Sequence, residues 1–374
     1  MPDCANGSPR FLSVVGTRPN LVKMAPVIAE LRHRMPDAHH VVVHTGQHYD
    51  RLLSDVFVDE LDLPAPDYAL GVGSGTHAEQ TARVLERLEP VLIAERPDLV
   101  LVPGDVNSTL AAALAAAKLV IPLAHVESGL RSFDPTMPEE INRVLTDRLS
   151  ELLFLHSDEA VDNLSAEGLP CDRLHFVGNT MIDTLVALEP RFRSLDAAAT
   201  YGVRTGEFLL VTLHRPALVD GELLEPTIDA LGAVARELPV VFPVHPRTRK
   251  AIGRRKIPAG VCLLQPLGYF EFLSLACDAA GVLTDSGGVQ EETTYLNVPC
   301  FTLRANTERP ITIRHGTNTL LGLEPERIRE VPTLLAARGL ARAEPPPLWD
   351  GHAAERIVDV LARVGYRDTV SAAG

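Results

Sequence analysis

A chain of 374 residues is long for one hydrophobic core, so two domains are expected. With 46% hydrophobic and 22% charged residues it reads as an ordinary globular protein, and a net charge of −14 without a continuous basic footprint excludes nucleic acid as the principal partner. Five cysteines, scattered and never in a Cys-x-x-Cys pair, read as reduced thiols of a cytoplasmic protein, and neither a signal peptide nor a membrane span is expected.

Short β-rich runs alternate with helical patterns along the chain. Strands are expected at Phe11–Val15, His40–His44, Leu99–Val102, Ile121–His125, Leu152–Leu155 and Leu174–Val177, with helices such as Pro19–Arg34 and Thr76–Ala94 between them. Around Leu188–Gly206 the rhythm lapses into a polar piece that reads as a linker carrying at most a helix. It resumes with Phe208–Thr212, Val240–Pro243, Val261–Leu264, Gly281–Thr284 and Cys300–Leu303. "EPPPLW" reads as a stiff connector to a last helix at Ala353–Val364. The expected fold is α/β, two Rossmann-like doubly wound parallel sheets facing a cleft: residues 1–190 rejoined by the helix region 353–374, and residues 191–352. Open parallel sheets bind ligands beyond the carboxyl ends of their strands, so chemistry is sought there.

Polar residues recur at those ends. "GTRPN" offers a glycine turn, Arg18 for bidentate phosphate binding and a Pro-started helix. "HTGQHYD" follows the second strand, "PGDVNST" places Asp105 before a helix, "HVESGLR" brings Glu127 and Arg131, and "MPEEINR" brings Glu139, Glu140 and Arg143. In the second half come "TLHRP" with His214, "PVHPRT" with His245, "LTDSGGVQEE" and "NTERP". In "LTDSGGVQEE" bare N–H groups at a helix start suit a phosphate, yet two carboxylates follow at once. Singly each feature has a bland reading: an Asp after a strand is usually an N-cap, and acidic residues in a first turn complement the helix dipole. Together they exceed what a fold requires. "GVGSG" lacks the dinucleotide-fingerprint context and reads as a loop, and the P-loop, serine-hydrolase and zincin motifs do not occur. No metal or cofactor is assigned.

The blocks "GTRPNLVKMAP", "GDVNSTLA", "HVESGLRSFDPTMPEEINR", "VGNTMIDTL", "TLHRP", "TDSGGVQEE" and "NTERP", in this order, resemble the non-hydrolysing UDP-N-acetylglucosamine 2-epimerases over about residues 11 to 322. The resemblance implies a glycosyltransferase-B architecture, a C-terminal helix returning to the first domain, and reversible inversion at C2 of UDP-GlcNAc through 2-acetamidoglucal and UDP. It implies Asp105, Glu127 and Glu139 as proton-transfer residues, with Lys23 and Arg143 tuning or positioning them. It places Arg18, Ser286, Gly287 and Gly288 at the diphosphate with His214 and Arg309 nearby, Glu292 at the ribose, and Tyr269 or Phe272 near the uracil. Gln47, His48 and His245 match residues with which some bacterial members hold a second, activating UDP-GlcNAc. Many relatives carry Glu where Asn20 stands and an acid shortly after the His-Arg pair, where this chain has "PALVD"; the exact sugar stays open, with a modified UDP-HexNAc as an alternative. The partners expected are a UDP-sugar and a second copy of the chain. Other readings are a transferase of the same architecture, a hydrolysing relative and a nucleotide-sugar sensor; the carboxylate set of the first half favours epimerisation.

Overall fold

The computed structural model describes residues 8–46, 65–338 and 343–364. Its contacts divide the chain into two units, Met1–Thr184 with Pro347–Gly374, and Leu185–Pro346. The division falls inside one helix, Thr180–Arg193, so the polar stretch read as linker begins as helix.

The first unit holds a seven-stranded sheet of β1 (Arg10–Val15), β2 (His39–His44), β3 (Tyr68–Ala69), β4 (Leu99–Pro103), β5 (Leu123–Ser128), β6 (Leu152–Leu155) and β7 (Leu174–Phe176), in the order β3-β2-β1-β4-β5-β6-β7. Every pairing is parallel. The pattern "LVLVP" has no polar alternation because both faces of β4 are covered, and all five residues are buried. Helix α1 (Arg18–Arg34) follows β1, α2 (His77–Glu95) precedes β4, and α3 (Asn107–Lys118) follows it. In α3 the run of alanines lets the helix sit close to the sheet and to α2: Ala111, Ala112, Ala113 and Ala116 are fully buried. Helix α4 (Pro138–Leu149) follows β5, and α5 (Thr180–Arg193) follows β7. The last helix, α7 (Ala353–Arg363), lays Ile357, Val358 and Leu361 inward and packs on α1. Asp183 receives the N–H groups of Ala353 and Ala354, at 3.1 and 2.6 Å, and Arg34 pairs with Asp359 at 2.6 Å. Trp349, just ahead, is buried and donates to the His156 carbonyl at 2.9 Å.

The second unit holds six parallel strands, β8 (Leu209–Thr212), β9 (Val240–Pro243), β10 (Val261–Leu264), β11 (Gly281–Thr284), β12 (Cys300–Thr302) and β13 (Asn318–Leu320), in the order β10-β9-β8-β11-β12-β13. Helix α6 (Gly287–Leu296) starts beyond β11. Leu209, Val211, Phe242, Leu283 and Phe301 from these strands meet Leu231 and Val234 in one buried cluster. At about 1.5–3 kcal/mol for each fully buried large apolar side chain, such clusters are the main stabilising term in both units. The two-residue β3 and the polar β13 have no counterpart among the expected strands, because each is too short to show a period.

The strand orders matter for function. In the first sheet the order reverses between β1 and β4, in the second between β8 and β11. Ligands of doubly wound sheets bind beyond the strand ends at such switch points. The segments that leave these four strands are "GTRPN", "GDVNST", "LHRP" and "DSGG".

Candidate active site

At the first switch point, Asn20 builds the turn after β1. Its side-chain oxygen accepts from the N–H groups of Gly16 and Thr17 at 3.3 and 3.2 Å, and its amide nitrogen donates to the Pro103 carbonyl at the end of β4 at 3.2 Å. A glutamate at this position could not make that donation. One turn further along α1 lies Lys23, buried, whose ammonium pairs with Glu127. Glu127 sits where the β5–β6 register shifts between Val126 and Ser128, and its φ is +67°. A bulge combined with left-handed backbone at a non-glycine residue re-aims a side chain at a cost in strain, and such outliers cluster at functional sites. Here it delivers a carboxylate that is 5% exposed to Lys23, which is 7% exposed.

Asp105 leaves β4 after Gly104, whose φ of +62° suits glycine. A Cβ on Gly104 would lie 3.2 Å from the Lys23 ammonium and 3.3 Å from the Asn20 amide nitrogen, a tight fit that would press on both. Arg143 on α4 holds the Asp105 carboxylate at 2.9 Å through Nε and Nη2, and reaches Glu140 at 2.6 Å through Nη1. Asn142 donates to the Asp105 carbonyl at 2.8 Å. Glu140 also accepts from the N–H groups of Ser132 and Phe133, both at 2.9 Å. Buried and so engaged, it shapes the loop, whereas its neighbour Glu139 is partly exposed. Arg18, at the first position of α1, is also partly exposed.

At the second switch point, β8 and β11 pair so that Thr212 lies beside Thr284. Asp285, fully buried, accepts the N–H groups of His214 and Arg215 at 2.8 and 2.7 Å, and its other oxygen is 3.0 Å from His214 Nδ1. Burial alone would raise the Asp285 pKa, but the hydrogen bond and charge of His214 and the two backbone donors hold it below the ordinary value. The His214 ring lies 5.7 Å from that of His245, which is exposed and accepts from the Arg247 N–H at 3.2 Å. Ser286 precedes α6 as N-cap without a side-chain cap bond, and its N–H is taken by Thr284 Oγ1 at 2.9 Å. The N–H groups that this helix start could offer an anion are then those of its first turn, at Gly287 and Gly288.

Gly287 is packed against the "NTERP" loop: a Cβ there would collide with the Arg309 guanidinium and lie 2.8 Å from Glu308 Oε1. Arg309, buried, pairs with Glu291 at 2.9 Å and Glu308 at 2.5 Å, and Arg304 pairs with Glu308 at 2.7 Å. Glu291 thus faces inward to this network. Glu292 turns another way and accepts from the Tyr269 hydroxyl at 3.0 Å. Phe272 packs into the apolar cluster of Phe208, Leu210, Leu275 and Val282. Gln47 and His48 lie outside the described residues.

The first unit thus brings together Lys23 with Glu127 and Asp105 with Arg143; the second brings His214 to the start of α6 and Tyr269 to Glu292. Asp285, Glu140, Glu291 and Glu308 were not singled out as site residues, although all four stand in quoted motifs. The signal was the motif spacing itself, since two adjacent acids at a helix start leave one to fold inward.

A profile of the UDP-N-acetylglucosamine 2-epimerase family matches residues 30–362. The chain belongs to that family. The UDP-N-acetylglucosamine 2-epimerase of Methanocaldococcus jannaschii is 42% identical over 366 residues, covering 94% of this chain and 99% of the relative. A crystal structure of the M. jannaschii UDP-GlcNAc 2-epimerase in complex with UDP-GlcNAc and UDP superposes with a TM-score of 0.87 at 40% identity, covering 94% of this chain and 99% of that one. The UDP-2,3-diacetamido-2,3-dideoxy-D-glucuronate 2-epimerase of Pseudomonas aeruginosa is 39% identical over 361 residues, covering 95% of this chain and the full length of the relative. The non-hydrolysing epimerases of this family share the glycosyltransferase-B type of fold, two parallel-sheet α/β domains, and this chain has it.

Proposed function

We propose that the chain interconverts UDP-GlcNAc and UDP-ManNAc by inversion at C2. The observation that carries the reading is the Lys23–Glu127 pair, a carboxylate set on strained backbone at the first switch point beside the Asp105–Arg143 pair. C2 of the sugar has no neighbouring carbonyl, so its proton is not acidic. The reaction therefore runs through elimination: a base takes the C2 proton, the C1–O bond to UDP breaks with its electron pair leaving on the diphosphate, and 2-acetamidoglucal forms. Protonation of C2 from the opposite face and re-addition of UDP at C1 complete the inversion. This needs acid/base groups on two faces, and Asp105, Glu127 and Glu139 share that work, positioned by Arg143 and Lys23. The departing diphosphate needs preorganised donors, supplied by the N–H groups of Gly287 and Gly288, by Arg18 and by His214. Glu292 accepts from the ribose hydroxyls, oriented by Tyr269. Arg309 supports this grip from below, through Gly287.

Incubation with UDP-GlcNAc in heavy water tests the reading. Deuterium is expected at C2 of a mixture of UDP-GlcNAc and UDP-ManNAc, and Asp105→Asn and Glu127→Gln each slow its entry by about 100-fold or more. Release of free sugar, or no exchange in the absence of an acceptor, overturns it in favour of a hydrolase or a transferase. The P. aeruginosa relative, which is named for a diacetamido uronate, supports a second reading in which the same chemistry acts on a modified UDP-HexNAc. Exchange at C2 of that sugar nucleotide and not of UDP-GlcNAc would favour it.

A further inference from the structure

Below the first switch point lies a buried charged cluster that the proposed chemistry does not use. His125, on β5, is fully buried. Its Nδ1 is 2.7 Å from Asp147 Oδ1, and its Nε2 is 2.7 Å from the carbonyl oxygen of Gly104. Asp147, on α4 and also fully buried, has its second oxygen 2.7 Å from Arg131 Nη1 and accepts the Gly129 N–H at 3.2 Å. Arg131 in turn forms a two-pronged pair with Glu167, at 2.6 and 2.8 Å.

A carbonyl oxygen only accepts, so His125 Nε2 carries the hydrogen of its bond to Gly104, while Nδ1 faces the Asp147 carboxyl across a second hydrogen bond. The ring thereby joins two groups that could not otherwise touch, a carboxyl group on α4 and a backbone carbonyl at the end of β4.

The carbonyl matters because it belongs to the peptide joining Gly104 to Asp105. The preceding peptide, Pro103–Gly104, is held in turn by the Gly104 N–H, which donates to the Val126 carbonyl at 3.0 Å. Fixing the orientation of the Gly104–Asp105 peptide constrains the direction in which the Asp105 side chain leaves the chain. Asp147 also ties down the loop beyond Glu127 through Gly129, and it stands four residues after Arg143 on the same helix, so the two lie on one face. One buried carboxylate thereby sets both strand ends that carry Asp105 and Glu127.

We propose that His125 is a positioning residue for the proton-transfer carboxylates, holding the Gly104–Asp105 peptide through its Nε2–H while Asp147 holds it through Nδ1. This rests on the epimerase reading above, in which Asp105 moves a proton. A misplacement of such a group by about 1 Å costs on the order of 100-fold in rate, so the effect belongs in kcat and not in substrate binding.

Two replacements separate the two bonds. In His125→Gln the side-chain amide nitrogen reaches about as far as Nε2 and keeps the donation to Gly104. In His125→Asn it reaches about as far as Nδ1 and keeps only the bond to Asp147. The expected result is that His125→Asn lowers kcat for C2 exchange by on the order of 100-fold with KM for the UDP-sugar within about twofold of the wild type, while His125→Gln recovers at least about a tenth of the wild-type kcat. Equal losses in the two variants, or a change confined to KM, overturns the proposal. If either variant fails to fold, the wild-type protein labelled with 15N-histidine supplies the decision: His125 Nε2 should show the signature of protonated nitrogen, and an unprotonated Nε2 overturns the proposal. Absence of C2 exchange in the wild type would instead sink the epimerase reading, and the nitrogen signature would still report on the Nε2–H donation.

Discussion

The two units support their polar groups with opposite charges. In the first, carboxylates are presented at the strand ends and cations stand behind them: Lys23 behind Glu127 and Arg143 behind Asp105. In the second, donors are presented and carboxylates stand behind them: Asp285 behind His214, and Glu308 and Glu291 behind Arg309 under the glycine turn. In the proposed reaction the first unit moves the protons and the second receives the anion. An uncompensated charge of either sign would be costly at this depth, so each needs an opposite charge for support.

The comparison breaks most severely at Lys23. Replacing it by methionine leaves Glu127 buried without this cation, which costs about 3–5 kcal/mol of stability, and in the proposed reaction it removes the group that positions Glu127, for which a loss of at least about 100-fold in kcat is expected. Adding Glu127→Gln should restore most of the melting temperature, because both charges are then gone, and none of the activity. A double variant as unstable as Lys23→Met alone would show that the ion pair is not what holds this corner together.

A smaller effect is expected at Asp285, the supporting carboxylate of the second unit. Asp285→Asn keeps the shape but loses the charge that faces His214, and a cost of roughly 1–3 kcal/mol follows from the weakened buried bonds. The pH dependence gives the sign. The folded-state pKa of Asp285 lies below its ordinary value of 3.8, so its contribution is complete above about 3.8 and is lost as pH falls through the lower folded value. Urea unfolding across the acid range should therefore show a shallower acid-side loss in Asp285→Asn than in the wild type. KM for the UDP-sugar should rise by about tenfold with kcat less affected. Loss of kcat at constant KM would place His214 with the proton chemistry and blur the division between the units.

Much of this was legible in the sequence, and the limits have physical causes. Most strands were readable because buried parallel strands such as "LVLVP" and "GVLT" are short apolar runs closed by Gly, Asp or Ser. Asp105 and Glu127 were readable for the same reason, as polar residues at the ends of such runs. What local sequence does not carry is which strand lies beside which. Asp285 supports His214 only because β11 pairs with β8, and the two residues are 71 positions apart. The division of labour between Glu291 and Glu292 depends on which face of α6 turns toward "NTERP". The bulge at Glu127 and the engagement of the Ser286 N–H by Thr284 likewise belong to the folded backbone.

The smallest expected effect lies at Tyr269, and it sharpens the comparison because it touches binding alone. Tyr269→Phe removes one donor to Glu292 and leaves the buried ring in place, at a cost of about 1 kcal/mol. If Glu292 reads the ribose, a carboxylate with one fewer fixed donor is less well aimed at the sugar hydroxyls. The dissociation constant for UDP, measured by titration calorimetry, should then rise by about fivefold, the equivalent of that energy. The rate of C2 exchange at saturating substrate should stay at the wild-type value, because no group of the first unit has been altered. An unchanged affinity for UDP accompanied by a lower melting temperature would make the Tyr269–Glu292 bond a feature of the core, and the ribose would have to be read by other residues of the second unit.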